Sequence, residues 1–256
     1  MRSRTFFDLL IFKSSADLRV EVSRYYLNYF WWILEPVLTM VVFYIVFGLF
    51  LNQGAPDFVG FLLIGFAFWN WFANSVSNAS PSILGGQGLM LQVDIPKVFF
   101  PLGVVLQDLF KQLFVVALLL VFLFFYHTPT SVTWIALPAM MVVQAVFVSA
   151  CAILAAAFVP FVPDLRYVIG TILNLLMFAS GLFFEIDTVV QPQYRSYVYM
   201  NPMAGLLTNY RRVLMQAQWP NWWYLLEVLL GSLVMLLIAV LILNRLDRLY
   251  PRICQQ

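Results

Sequence analysis

"YVYMNPMAGLLTNYRR", Tyr197–Arg212, is the stretch on which the reading of this chain turns. It lies among long apolar runs, yet it carries a proline, two adjacent arginines and a helical repeat of Met and Leu. Asn201 suits an N-cap and Pro202 the first helical position, so a helix is predicted to start there. Met203, Leu206, Leu207, Tyr210 and Leu214 then fall on one face, which is expected to pack against neighbouring helices. Arg211 and Arg212 fall toward the other side and the far end, where cations suit the helix dipole. They are expected as outward charges. Upstream, Asp187 or Thr188 is expected to cap a first short helix, with Pro192 in its first turn. Neither helix reaches the roughly 20 apolar residues that a membrane crossing takes. The pair either dips into the outer leaflet and returns, packed in protein or lining a watery cavity as a gate or pore mouth, or floats on the outer interface.

The rest of the chain sets that stretch in context. Of 256 residues, 63% are hydrophobic and only 10% charged, against roughly 25% charged in a soluble domain. So much apolar surface needs lipid as its solvent. Six spans are predicted, at 31–51, 58–77, 102–126, 134–159, 167–184 and 222–244, the fifth being short. The fold class is thus an all-α polytopic membrane protein. It has an N-terminal amphipathic interface helix (1–30), a six-span domain (31–244) and a tail (245–256). A loop at 80–101 and the two short helices within 185–216 interrupt the spans.

Orientation follows from Lys and Arg placement. Arg2, Arg4, Lys13, Arg19, Arg24, Lys97, Lys111, Arg166, Arg245, Arg248 and Arg252 fall on one side if the spans alternate. Only Arg195, Arg211 and Arg212 fall on the other. Both termini are therefore expected in the cytoplasm, and residues 185–216 at the outer face. The first 30 residues hold Asp8, Asp17 and Glu21 and no long apolar core, so no cleaved signal peptide is expected. In that segment Phe6, Leu9, Leu10 and the stem of Lys13 recur at helical spacing, as in a helix lying along a membrane surface. It serves as an anchor or as a surface for a partner.

The loop "SPSILGGQGLMLQVDIPKVFFPL", Ser80–Leu102, holds apolar residues in short pieces separated by Gly85, Gly86 and Gly88. Its apolar residues need burial, either on the chain's own spans or in a groove of a soluble partner.

Enzyme chemistry is poorly represented. His127 is the only histidine and lies in a turn, and no HExxH or GxSxG motif occurs. Cys151 and Cys254 are far apart and lack the companions of a metal site. No glycine precedes Lys13-Ser14 where a phosphate loop needs one, so no nucleotide site of that kind is expected. The net charge of +2 carries no nucleic-acid signature. Glu35, Asp108 and Glu227 fall near span ends, which speaks against a carrier with charges at mid-membrane. Asp108 and Lys111 can meet on one helix face.

The order "YFWWILEP", "GLMLQVDIPKVFFPL", "PDLRYVIG" and "MNPMAGLLTNYRRVL" resembles the permease subunits of ABC-2-type exporters. Within them it is most similar to the branch that exports lipid-linked surface polysaccharide, such as O-antigen or capsule. The resemblance covers essentially the whole chain. One departure is Asn28-Tyr29, where the family often has Gly before the first span. The resemblance implies a homodimeric permease in the bacterial inner membrane, driven by two copies of a separate cytoplasmic ATPase. ATP and Mg belong to that partner, and this chain carries no cofactor or metal. It further implies an ATPase-coupling surface from Asp8, Arg19, Glu21, Leu89, Gln92, Asp94, Lys97, Asp164 and Arg166. It implies an outer gate from Glu185, Asp187, Tyr194, Arg195, Tyr197, Tyr199, Asn201, Pro202, Tyr210 and Arg211. Rings in such a channel stack on sugars; Tyr194, Tyr197, Tyr199 and Tyr210 are the foremost candidates. The same scaffold also suits a drug, a lipid or a teichoic-type polymer. A stand-alone channel or an ion-coupled carrier is the reading from another class.

Overall fold

In the computed structural model, residues 3–23, 57–93, 95–126, 131–247 and 249–250 are described, with isolated positions from 34 to 50. Most of the expected first span, 31–51, thus lies outside the described residues, as do Asp94, His127 and Arg248. Among the described residues the chain is helical and has no strand. The elements are α1 (Ser3–Ser23), α2 (Phe58–Ala79), α3 (Ser82–Gly85), α4 (Gln87–Gln92) and α5 (Phe99–Phe125). A 3-10 turn (Val132–Ala136) runs into α6 (Leu137–Phe158). Then come α7 (Leu165–Ala179), α8 (Ile186–Val189), α9 (Pro192–Tyr199), α10 (Pro202–Leu214) and α11 (Trp222–Leu246).

Among the described residues, four segments are long and apolar enough to cross a membrane: Phe58–Ala79, Phe99–Phe125, Val132–Phe158 and Trp222–Leu246. These correspond to the second, third, fourth and sixth spans read from the sequence. The segment read as the fifth, 167–184, is the shorter apolar helix Leu165–Ala179. Its 15 residues reach about 22 Å at 1.5 Å per residue, short of a hydrocarbon core of about 30 Å.

Packing explains why these helices stay together although lipid is as apolar as leucine. α11 lies against α6, and α2 against α5, α6 and α10. A large core joins Leu63, Phe68 and Phe72 of α2 to Met140 and Phe147 of α6 and to Leu206 and Tyr210 of α10. Inside a bundle, polar side chains act as interhelical ties. Gln112 and Gln144 donate to consecutive carbonyls of α2, those of Ala67 at 3.2 Å and Phe68 at 2.8 Å. The Thr133 hydroxyl donates to the Val213 carbonyl at 3.0 Å, holding the entry of α6 to the end of α10. Outward faces are apolar instead, with Phe114, Val121 and Phe124 on α5 and Val234, Leu237 and Leu241 on α11 exposed. In water such a face would be a liability; in lipid it meets its own kind.

The end of the bundle that carries residues 80–98 collects several pieces. Leu10 of α1, Ile83, Met90, Phe99 and Phe100 form a second core with Ile153 of α6 and Leu243 of α11. α1 is fixed along α5 by the Ser14 hydroxyl donating to the Gly103 carbonyl at 3.2 Å and by Gln107 donating to Asp17 at 3.0 Å. Lys13 pairs with the same carboxylate one turn away. Leu10 is buried in this contact, whereas Leu9, expected on the same apolar face, is exposed. The helix therefore rests on α5 along a narrower stripe than its spacing suggested.

Asp17 joins α1 internally and to α5. Asp17→Ala removes a hydrogen bond and a half-exposed ion pair, together worth about 1 kcal/mol. Opening of α1 should then rise about fivefold, read as faster tryptic cleavage at Lys13 and Arg19 in the purified, reconstituted chain. Unchanged cleavage would show that α1 is held by its apolar contacts alone.

Candidate functional site

Residues 180–224 build the end of the bundle opposite the 80–98 loop, and local chemistry explains each bend. α7 stops at Ser180, and Gly181 turns the chain with φ of +66°, a conformation that costs a side chain heavily. A methyl there would also lie 2.6 Å from the Ile186 side chain. α8 follows as a single turn, and α9 begins at Pro192 with Gln191 in the capping position and no side-chain cap. The expected cap by Asp187 or Thr188 is thus corrected. Both lie inside α8, because the chain extends at Val190 and Gln191 before restarting.

The second helix starts as its sequence predicts. The Asn201 side chain accepts from the Met203 amide at 3.1 Å, with Pro202 in the first turn. Its amide donates to the Ser180 hydroxyl at 2.8 Å, tying the α9–α10 break to the end of α7. Tyr199 donates to Asp187 at 3.0 Å, closing α8 onto α9. Burial and that bond push the Tyr199 phenol pKa up, so it remains a neutral donor. Arg195 donates to the Val190 carbonyl at 2.9 Å. Tyr224 of α11 donates to the carbonyls of Tyr199 at 3.2 Å and Pro202 at 3.4 Å. Tyr194 and Tyr197 are exposed, and so are Glu185 and Asp187.

Two expectations for α10 fail. Tyr210 is not available to a sugar: it is fully buried, stacked on Phe68 with centroids 3.5 Å apart and planes 5° from parallel. Arg211 is not an outward charge: only 5% of it is exposed. Its Nη1 donates to the Gly181 carbonyl at 2.7 Å, its Nη2 to that of Leu182 at 2.8 Å, and its Nε to that of Phe61 at 3.2 Å. The guanidinium carbon sits 3.4 Å from the centroid of the Phe61 ring, a cation–π contact that strengthens when desolvated. Burial lowers the Arg211 pKa to about 9, with the Glu185 carboxylate pulling the other way; the cation persists at neutral pH. Room for it comes from Gly65, where a Cβ would lie 2.5 Å from Nη2. Arg212, one residue on, is only half-buried.

The opposite end gathers the residues expected to couple to a partner. Asp8, Arg19, Gln92, Asp164 and Arg166 are exposed and Leu89 is half-buried. Arg166 donates to the Tyr167 hydroxyl and lies over its ring. Glu21 sits within α1, its side chain outside the described residues. Lys97 is a correction. It is 4% exposed, donates to the Ile95 carbonyl at 3.2 Å and pairs with Asp247 at 3.5 Å. Its charge is spent within the chain because the end of α11 folds over it. The nearby Tyr250 is buried and donates to the Ala157 carbonyl at 3.0 Å. Sequence reasoning missed Asp247, Tyr250, Tyr224 and Gly65. Only Gly65, a small residue inside an apolar span, carries a local signal of close approach.

No family model matches the chain. It is 23% identical over 248 residues to an O-antigen export system permease protein RfbA of Klebsiella pneumoniae, covering 96% of this chain and 95% of that protein. It is 26% identical over 229 residues to a protein of the same name from Myxococcus xanthus, covering 89% and 88%. It is 22% identical over 202 residues to the inner membrane transport permease YadH of Escherichia coli K12, covering 75% and 78%. The chain is therefore similar to O-antigen export permeases over most of its length, and to a transport permease over three quarters of it.

The buried cation yields a contrast between neighbours. Arg211→Met strips charge-assisted bonds from three carbonyls, a loss of about 3 kcal/mol, whereas Arg212→Ala should stay within about 0.5 kcal/mol. Gly65→Ala should resemble Arg211→Met, since its methyl displaces the guanidinium. Thermal unfolding of the reconstituted variants reads all three. Equal midpoints for Arg211→Met and Arg212→Ala would contradict the burial of Arg211.

Proposed function

We propose that this chain is the permease subunit of an ATP-driven exporter of lipid-linked cell-surface polysaccharide. Two copies form the channel in the bacterial inner membrane, and a separate ATPase, two copies per transporter, supplies the energy from ATP and Mg. The observation that carries this reading is the similarity to O-antigen export permeases over 96% of the chain. The helical, apolar architecture suits it, and so does the cluster that joins Leu10 of α1, Ile83 of α3, Met90 of α4 and Phe161 at one end.

In this reading the 80–98 end faces the cytoplasm and both termini lie there. The ATPases press on α3 and α4 and on the exposed residues Asp8, Arg19, Gln92, Asp164 and Arg166. Asp94 and Glu21 belong to the same surface. Displacement of that end moves the helices that line the channel between the two permeases. At the other end α9 and α10 act as re-entrant gate helices, hinged at Asn201-Pro202. Tyr194, Tyr197 and Tyr199 offer rings to the passing glycan; Arg195, Glu185 and Asp187 border them. The chain performs no covalent chemistry. Sugar rings with apolar faces stack on aromatic side chains without fixing the identity of each sugar, which suits a long polymer.

A second reading, the same scaffold exporting a drug, a lipid or a teichoic-type polymer, draws on the similarity to the YadH transport permease. Deleting the gene in its host and quantifying surface glycan separates the two. The polysaccharide reading expects surface glycan to fall at least about tenfold, well beyond the effect of a 1 kcal/mol change, while lipid-linked glycan accumulates inside. Full recovery should require both this chain and an active ATPase. Unchanged surface glycan would transfer the argument to the second reading, and export that survives an inactive ATPase would indicate a stand-alone channel.

A further inference from the structure

A recess of about 370 Å³ opens between the start of α2, the α7–α8 turn and α10. That volume lies within the roughly 300–1,000 Å³ of small-ligand pockets. Its polar lining is Asp57, Glu185, Thr208, Arg211 and Gln216, and Phe58, Phe61 and Phe184 supply apolar wall. Three features distinguish it from a packing gap.

The first is Arg211. A guanidinium has five N–H donors, and this one gives one from each nitrogen to the carbonyls of Phe61, Gly181 and Leu182. Its two other N–H groups have no acceptor among the described residues, on a side chain that is 95% buried in a lining position. Buried donors without acceptors are costly unless something arrives to accept. The second is the carboxylates. Asp57 stands at the start of α2 without making a side-chain cap, and Glu185 does the same before α8. Neither forms a salt bridge with Arg211 among the described residues. Two carboxylates against one cation leave the lining net negative, which opposes an anion such as phosphate. The third is the wall. Phe184 is half-buried and lines the recess beside Glu185.

Carboxylates that accept, a guanidinium and an amide that donate, and an apolar ring together match one chemistry. A neutral sugar presents vicinal hydroxyls that donate, ring and hydroxyl oxygens that accept, and a C–H face that lies on an aromatic ring. We propose that this recess is a saccharide subsite for a neutral hexose unit. Asp57 and Glu185 accept from hydroxyls, the spare N–H groups of Arg211 and the Gln216 amide donate to sugar oxygens, and Phe184 takes the C–H face. The inference rests on the polysaccharide reading for its biological setting, and it assigns that reading a specific contact beside the gate helices.

The test uses the full chain in nanodiscs and saturation-transfer NMR. The probes are the methyl glycosides of glucose, galactose, mannose and rhamnose at millimolar concentration, with inorganic pyrophosphate and calcium as ionic comparisons. At least one glycoside should bind the native chain. Glu185→Gln and Asp57→Asn should each weaken it about tenfold, the scale of one charge-assisted hydrogen bond. Both are isosteric changes at groups with no side-chain bond among the described residues, and unshifted thermal midpoints confirm the fold. Gln218→Ala, exposed at the same end, should leave binding unchanged. The proposal is overturned if no glycoside binds, if both carboxamide variants bind as the native chain does, or if pyrophosphate or calcium is the probe whose binding they alter. Because the readout is binding in vitro, its failure is separable from that of the export reading, which the surface-glycan assay decides.

Discussion

A single guanidinium ties one end of this molecule together. Arg211 reaches from α10 to the Phe61 carbonyl of α2 and to the Gly181 and Leu182 carbonyls that end α7. All three acceptors are backbone atoms, and two belong to a turn whose carbonyls no longer have helical partners. A buried turn must satisfy those groups within the protein. Arg211 does so for the turn while anchoring the helix that follows. Removing it would expose the turn, and removing the turn would strand a buried cation. Each half of the arrangement therefore makes the other tolerable.

The two ends of the bundle use the same device with different cations. At one, Arg211 is held by carbonyls and an aromatic face. At the other, Lys97 is held by the Ile95 carbonyl and Asp247, with Tyr250 closing onto Ala157. Between them the helices meet through apolar contact and a few amide ties such as Gln112 and Gln144. Polar anchoring is concentrated at the ends, where helices stop and backbone groups need partners. Apolar packing fills the middle.

Hydropathy made the spans legible because lipid is the solvent and length is the constraint. Among the described residues, the four segments long enough to cross match sequence boundaries within a few residues. The start of α10 was also legible, since Asn201 and Pro202 act through atoms within two residues of each other. The failures share a cause. Arg211 and Arg212 are adjacent and chemically identical, and they differ only by about 100° around the helix. Which of them turns inward depends on carbonyls 29 and 30 positions earlier and on the missing side chain at Gly65. Lys97 is set by Asp247, still more remote in sequence. Local pattern records what a residue prefers, and these residues are placed by what stands opposite.

The distribution of tyrosines extends that point to function. Tyr210 fell on an apolar helical face and is buried against Phe68, whereas Tyr194 and Tyr197, on a helix with no buried residue, are exposed. α9 and α10 are therefore different in kind. α10 is built into the bundle over most of its surface, whereas α9 is held through Tyr199 to Asp187 of α8, through Arg195 to the Val190 carbonyl just before it, and at its end through Asn201 to Ser180. A gate needs one part that yields and one that does not. The physical division falls at Asn201: the helix after it is fastened into the bundle by Arg211 and Tyr210, and the helix before it is held by a few hydrogen bonds and no buried side chain.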